Sequence, residues 1–234
     1  MKAFVVDLDS SKNQIMLKPI VRSFNNQAHQ INEAAEKIHE LIKNAPYSND
    51  NIVLKRNEIK EVFFSPFKPQ LKNAQVFLSH SHADRNKALE VKNYLENQTK
   101  RKVFIDSLFW DYKDDVLNKL ARYDDISKIE DAFTLILRES LEYMIKKCPY
   151  FVFLQSKNSV SLNQDLLKIT YSAWIYEELK IANTLIADTT IKESHIKAMR
   201  ISYDITNLLG RFKPISLDSL CKKIAFNLIT KDAK

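Results

Sequence analysis

Three short apolar runs constrain this chain more than anything else in it: Val76-Phe77-Leu78, Val103-Phe104-Ile105 and Tyr150-Phe151-Val152-Phe153-Leu154. Each is too short for a helix, apolar without alternation, and ended by polar residues: Ser79-His80, Asp106 and Gln155-Ser156. Continuous runs of this kind are the pattern of strands buried on both faces of a parallel sheet. Helix-length segments separate them. Asp84 to Asn97 carries Ala88, Val91, Tyr94 and Leu95 on one side, and Ile126 to Lys147 is a long helical region. The order β-α-β-α-β with short connections predicts a parallel sheet covered by helices on both faces. Ligands of open α/β sheets gather just outside the carboxyl ends of the strands, which directs attention to the stretch from Val76 to Arg85.

Elsewhere the patterns are less regular. Ala3 to Leu8 and Gln14 to Leu17 flank a polar connection and read as a small hairpin. Phe24, Ala28, Ile31, Ala35, Ile38 and Ile42 recur every three or four residues and make one narrow apolar seam, so 21–44 is predicted as a helix that packs on a neighbour or self-associates. Ile52 to Phe64 reads as a second helix and Ser65-Pro66-Phe67-Lys68-Pro69 as an extended linker. The expected division is therefore a mainly helical N-terminal extension over 1–72 and an α/β domain over 73–234. Within the latter, 107–115 reads as an unusually aromatic loop and Tyr171 to Leu185 as a helix. Thr184 to Ala187 and Phe212 to Ile215 are candidates for the last strands, and Leu217 to Leu228 for a closing helix.

Composition excludes several classes. Gly210 is the single glycine of 234 residues, and phosphate loops of the Walker A and GxGxxG kinds need backbone without Cβ beside the phosphates, so neither is available. The net charge of +7 is spread rather than clustered: residues 1–72 hold 11 Lys/Arg against 8 Asp/Glu, and no run of five basic residues occurs. That distribution argues against nucleic acid as the partner and is compatible with a phosphate-bearing small ligand. Cys148 and Cys221 lack paired spacing and read as reduced thiols. No window reaches the roughly 18 apolar residues of a membrane span, and Asp7 comes too early for a secretory signal, so the expected compartment is the cytoplasm.

Two constellations carry chemistry. His80-Ser81-His82-Ala83-Asp84 matches the start of an HxHxD metal site, as in zinc hydrolases of the metallo-β-lactamase type. Such a site needs further histidines downstream, where only His195 stands, because His29 and His39 fall on the predicted N-terminal helix. The second is Trp174 and Glu178, four residues apart and so one turn apart on one face of a helix, with Glu177 about 100° away. Taken alone, an amphipathic helix with Trp174, Ile175, Leu179 and Ala182 inside and both glutamates wet accounts for this segment as well.

Taken together, Val76-Phe77-Leu78-Ser79-His80-Ser81-His82-Ala83-Asp84, Val103-Phe104-Ile105-Asp106, Val152-Phe153-Leu154-Gln155-Ser156-Lys157-Asn158-Ser159 and Ser172-Ala173-Trp174-Ile175-Tyr176-Glu177-Glu178-Leu179 resemble a bacterial Toll/interleukin-1 receptor (TIR) domain, over about residues 73–215. The resemblance implies a flavodoxin-like, five-stranded parallel sheet and, in enzymatic members, NAD glycohydrolase or cyclase activity. NAD is then the substrate, with no cofactor and no metal. It implies Glu178 as the catalytic glutamate, Trp174 as its partner, and Ser79, His80, Asp84 and Asp106 as substrate-binding residues bordering the cleft. It also implies an assembly loop at 107–115 presenting Phe109, Trp110 and Tyr112. A homo-oligomer formed through this domain and the 21–44 helix is expected, with a role in bacterial immune or antiphage signalling and a nucleotide-sensing effector as a possible partner. The usual acidic-glycine loop is replaced by Leu108-Phe109-Trp110-Asp111-Tyr112, and the fourth strand is poorly formed near Leu185. A non-catalytic module acting by homotypic assembly is the alternative reading.

Overall fold

In a computed structural model, which describes residues 1–17, 36–41, 43–44, 47–48, 51–52, 56–64, 73–122, 127–163, 166–186 and 202–226, all three apolar runs are strands of one sheet. These are β4 (Ala74–Ser79), β5 (Lys102–Ile105) and β6 (Tyr150–Gln155). The sheet has five strands in the order β10-β1-β6-β4-β5 and every pairing in it is parallel. Its other members are β1 (Lys2–Asp7) and the two-residue β10 (Lys213–Pro214). Proline gives no N–H to a ladder, so it is tolerated at the sheet edge that β10 forms.

The fifth strand therefore comes from the beginning of the chain, and two expectations are corrected. Residues 1–20 do not form a hairpin. Ala3-Phe4-Val5-Val6 is a continuous apolar run that pairs along its whole length with β6, from Lys2 opposite Tyr150 to Asp7 opposite Gln155, and the following Ser11–Gln14 is a helical turn, α1. Thr184 to Ile186 is not a strand either; it is the last part of a helix, and Ala187 lies outside the described residues. Counted from β4, the strands follow the doubly wound order 2-1-3-4-5, with β1 in the fourth place.

Register explains much of the core. Phe77 lies opposite both Phe104 and Phe151. The three rings stack side by side with centroids 5.9 and 5.7 Å apart. Phe212 meets Phe151 edge-on at 5.5 Å. Crossovers are supplied by α3 (Arg85–Thr99), which buries Ala88, Val91 and Leu95 as expected, and by α6 (Ala173–Ile186) and α7 (Thr206–Gly210), and α8 (Leu217–Phe226) follows the last strand. A small antiparallel sheet joins β7 (Ser161–Leu162), β8 (Lys168–Thr170) and β9 (Tyr203–Asp204).

The chain divides into two compact units, one made of 1–21, 73–107 and 144–234, the other of 22–72 and 108–143. The boundary expected at residue 72 thus does not hold for the first residues, whose strand belongs to the sheet. In the second unit, α2 (Arg56–Phe64) and the helical residues 36–41 accompany α4 (Ser107–Leu120) and the greater part of α5 (Ser127–Lys147). Its core includes Ile38, Ile59, Phe63, Val116, Leu120 and Phe133, and Phe63 and Phe133 meet edge-to-face at 5.3 Å. Tyr47–Ser48 (β2) and Asn51–Ile52 (β3) form a short antiparallel pair.

The aromatic loop expected at 107–115 is also corrected: it is the first part of α4. Ser107 to Leu120 contains neither glycine nor proline, and Phe109, Tyr112, Val116 and Leu120 recur at helical spacing, so nothing local stops the helix. Of the 21–44 seam, Ile38 is described and fully buried; Phe24, Ala28, Ile31, Ala35 and Ile42, like His29, His195 and the 65–69 linker, lie outside the described residues. Among the described residues no helix is long and apolar enough to cross a membrane.

Candidate functional site

In a sheet of this order the chain leaves β4 for β5 and returns past it to β6, so the crevice of the fold opens between the carboxyl ends of β4 and β6. Ser79 ends β4, His80 follows it, and a 3-10 turn at His82–Asp84 leads into α3. Asp106 directly follows β5. Glu178 is brought in from α6, whose start is fixed by the Ser172 hydroxyl accepting the Ile175 N–H at 3.3 Å. Ile175, Glu178, Leu179, Ala182 and Asn183 form the buried stripe of α6, so Glu178 occupies an inward position while Glu177 is only half-buried.

Ser79, His80, Asp106 and Glu178 make one cluster, with Ser79 and Glu178 fully enclosed. His80 Nδ1 approaches Asp106 Oδ1 to 2.5 Å, away from the line of the ring N–H, so the two atoms touch without an aligned hydrogen bond. Burial pushes the Glu178 carboxyl well above the usual carboxylate range. Repulsion from Asp106 adds to this, and Ser79 beside it acts in the opposite direction. The contacts of Glu178 with Ser79 and Asp106, and of His80 with Asp106, are poorly aligned, so both Glu178 oxygens, Ser79 Oγ and both ring nitrogens of His80 have no well-formed hydrogen bond. Such groups are rare in folded proteins because each gives up water without replacement, at a cost of roughly 1–3 kcal/mol. Here they meet chiefly one another: His80 touches Asp106, and Ser79 and Asp106 lie beside Glu178.

Asp84 is different. Its Oδ1 accepts from Asn158 Nδ2 at 2.8 Å and its Oδ2 accepts from the Ser156 hydroxyl, whose oxygen in turn accepts the Asn158 N–H at 3.0 Å. Ser159 Oγ accepts the Ser156 N–H at 2.8 Å. This network ties the loop after β4 to the loop after β6 and closes the crevice between them. Asp84 is thus a fastening of the crevice rather than a member of the Glu178 cluster. Ser156 and Asn158 were missed as site residues, although the polar run Gln155-Ser156-Lys157-Asn158-Ser159 at the end of a central strand was the signal that could have found them.

The remaining expected residues are dispersed. Trp174 is half-buried, one turn before Glu178. His82 is exposed while His80 is buried, so the two imidazoles of the HxH pattern do not converge. Among the described residues no three His, Cys, Asp or Glu side chains are grouped so as to hold a metal ion. Phe109, Trp110 and Tyr112 lie on the first turns of α4, and their backbone is helical. Comparisons of the chain with protein-family models, with curated proteins and with solved structures find no match.

Proposed function

We propose that this protein cleaves the nicotinamide–ribose bond of NAD, as the resemblance of its motifs to bacterial TIR domains implies, with Glu178 as the catalytic residue. The observation that carries the proposal is a carboxyl group on the buried face of α6, held beside Ser79 and Asp106 at the carboxyl ends of β4 and β5 and out of reach of water. Departure of nicotinamide breaks the C1′–N bond, and the electron pair leaves with the ring, which becomes neutral. The ribosyl centre left behind is an electron-poor oxocarbenium, as in glycoside cleavage. An ionised Glu178 stabilises that charge and accepts hydrogen bonds from ribose hydroxyls, most strongly where water is excluded. Addition of water at C1′, with loss of one proton, gives ADP-ribose; attack by the adenine of the same molecule gives a cyclic product.

The cationic nicotinamide ring bears directly on the ionisation of Glu178. In the closed protein, burial and Asp106 favour the neutral acid, whereas a positive charge brought alongside favours the carboxylate. Glu178 is fully enclosed, so access requires a local opening, and the Asp84–Ser156–Asn158 network ties together the two loops that border the crevice. Purified protein incubated with NAD should release nicotinamide. Glu178→Gln should lower that rate at least about a hundredfold, a loss of the size seen when one electrostatic stabiliser is removed, and Glu177→Gln should leave it within about twofold. An unchanged rate in Glu178→Gln overturns the assignment.

A second reading, a non-catalytic module that works by homotypic assembly, is favoured by the complete enclosure of Glu178. It requires that Glu178→Gln keep biological function while substitutions at Phe109 or Trp110 abolish both function and self-association measured by light scattering.

A further inference from the structure

A cavity of about 440 Å³ lies on the sheet away from the Glu178 cluster and shares no residue with it. It opens beside the ends of β1 and β10, and its apolar wall is Val5, Leu209, Pro214 and Ile215. Its polar wall contains Asp7, Ser10, Lys12, Asn13 and Lys168. The volume falls within the range of small-molecule sites, about 300–1,000 Å³, and an apolar body with a few converging polar groups is their usual lining.

Both lysine-bearing segments are firmly held while their ammonium groups have no partner among the described residues. On α1, Asn13 is buried and bridges two elements: its Nδ2 donates to the Asp7 carbonyl at 2.7 Å and its Oδ1 accepts the Leu217 N–H at 3.1 Å. Gln14 Nε2 donates to the Leu8 carbonyl at 3.2 Å. These bonds fix the turn that carries Lys12. On β8, the Lys168 N–H donates to Thr206 Oγ1 at 2.8 Å, and its carbonyl accepts the Ile205 N–H at 2.9 Å. Ser10 stands at the head of α1, yet its hydroxyl caps no helical N–H. Among the described residues, two cations and a hydroxyl without partners, on rigid supports, line one cavity whose only carboxylate, Asp7, already accepts the Asp9 N–H.

We infer that this cavity binds a phosphate monoester of mononucleotide size, with the phosphate between Lys12 and Lys168 near Ser10 and the organic body against Val5, Leu209 and Ile215. Two ammonium groups lining one cavity favour a dianionic phosphate through charge-assisted hydrogen bonds. The Asp7 carboxylate suits a sugar hydroxyl. Fixed supports lower the ordering that binding must impose. This inference does not rest on the NAD reading.

The test is calorimetric titration of the full chain with AMP and with adenosine, on the wild type, on Lys12→Gln/Lys168→Gln, and on Glu178→Gln. AMP should bind at least about tenfold more tightly than adenosine, and the double lysine variant should lose about tenfold or more, since each charged hydrogen bond is worth a factor of this order. Glu178→Gln should bind AMP as the wild type does. The lysine side chains lie at the surface of the cavity, so the variants retain the fold, which circular dichroism checks; single variants losing part of the affinity each give the same answer independently. Failure of the wild type to bind AMP at millimolar concentration, equal affinity for adenosine, or loss of AMP binding in Glu178→Gln but not in the lysine variants overturns the inference.

Discussion

Replacing Glu178 by glutamine exchanges a carboxyl for a neutral amide of nearly the same shape, at a position closed to water. The folded protein holds the Glu178 proton more tightly than the unfolded chain does, because burial and Asp106 penalise the carboxylate. Such a group contributes stability that is fully present below the unfolded pKa and is lost as pH rises through the folded one. Glu178→Gln escapes that loss. It should therefore melt a few degrees above the wild type at neutral pH, and the difference should shrink towards pH 4, measured by thermal denaturation across that range. A group that lowers activity when removed and raises stability would mark a functional strain rather than a structural part. Asp84 should behave in the opposite way. Asp84→Ala leaves Ser156 and Asn158 without acceptors, and we expect a destabilisation of about 2–3 kcal/mol in chemical denaturation, the range for a buried charged hydrogen-bond partner. The inward orientation of Glu178 was only half legible. Its spacing from Ile175 and Ala182 put it on the apolar stripe, yet a glutamate on such a stripe is ordinarily expected at its wet margin.

The single glycine shapes the elements in a way composition alone did not show. Gly210 is exposed in α7, with open space where a Cβ would stand and no positive φ, so the chain does not spend its one glycine on a left-handed residue. That conformation is instead taken by Lys100, φ 55°, at the C-terminal cap of α3, and by Leu166, φ 59°, between β7 and β8. A side chain in this region costs roughly 1 kcal/mol, which glycine does not incur. Lys100→Gly should raise the stability by about 0.5–1 kcal/mol in urea denaturation without altering the slope, because Lys100 is exposed. Element identity was legible where one physical signal dominated. Strands β4, β5 and β6 and the helices α3, α5 and α6 stood out because a continuous apolar run or a helical stripe admits few readings. The segment 107–120 did not, because aromatic residues in a row look like a loop until their spacing is compared with the helical turn. Ala3 to Val6 was recognised as extended, but nothing nearby in sequence reveals a partner strand that begins at Tyr150.

At the scale of the whole molecule, β1 lies between β6 and β10, and it is the strand through which β10 joins the sheet. Its Ala3, Phe4 and Val6 are buried, as is Leu8 just beyond it. Deleting residues 1–8 removes these side chains and strands β10 at once, a loss beyond the roughly 5–15 kcal/mol that holds a domain together. The truncated protein should show no cooperative melting transition by circular dichroism, whereas the full chain should show one. A parallel sheet covered by helices was legible in the pattern, and its five strands were implied by the resemblance; the source of the fourth-place strand was not legible, since register between distant segments is decided by packing rather than by local pattern.

That arrangement also sets a timetable. On a ribosome emitting about 5–20 residues each second, β1 emerges ahead of β6, its partner, which follows some 140 residues later. For those seconds an apolar strand with both edges open waits beside a growing chain. Of the five strands the earliest made is thus among the last to be enclosed, and it carries a charge at each end, Lys2 and Asp7, as strands with open edges commonly do.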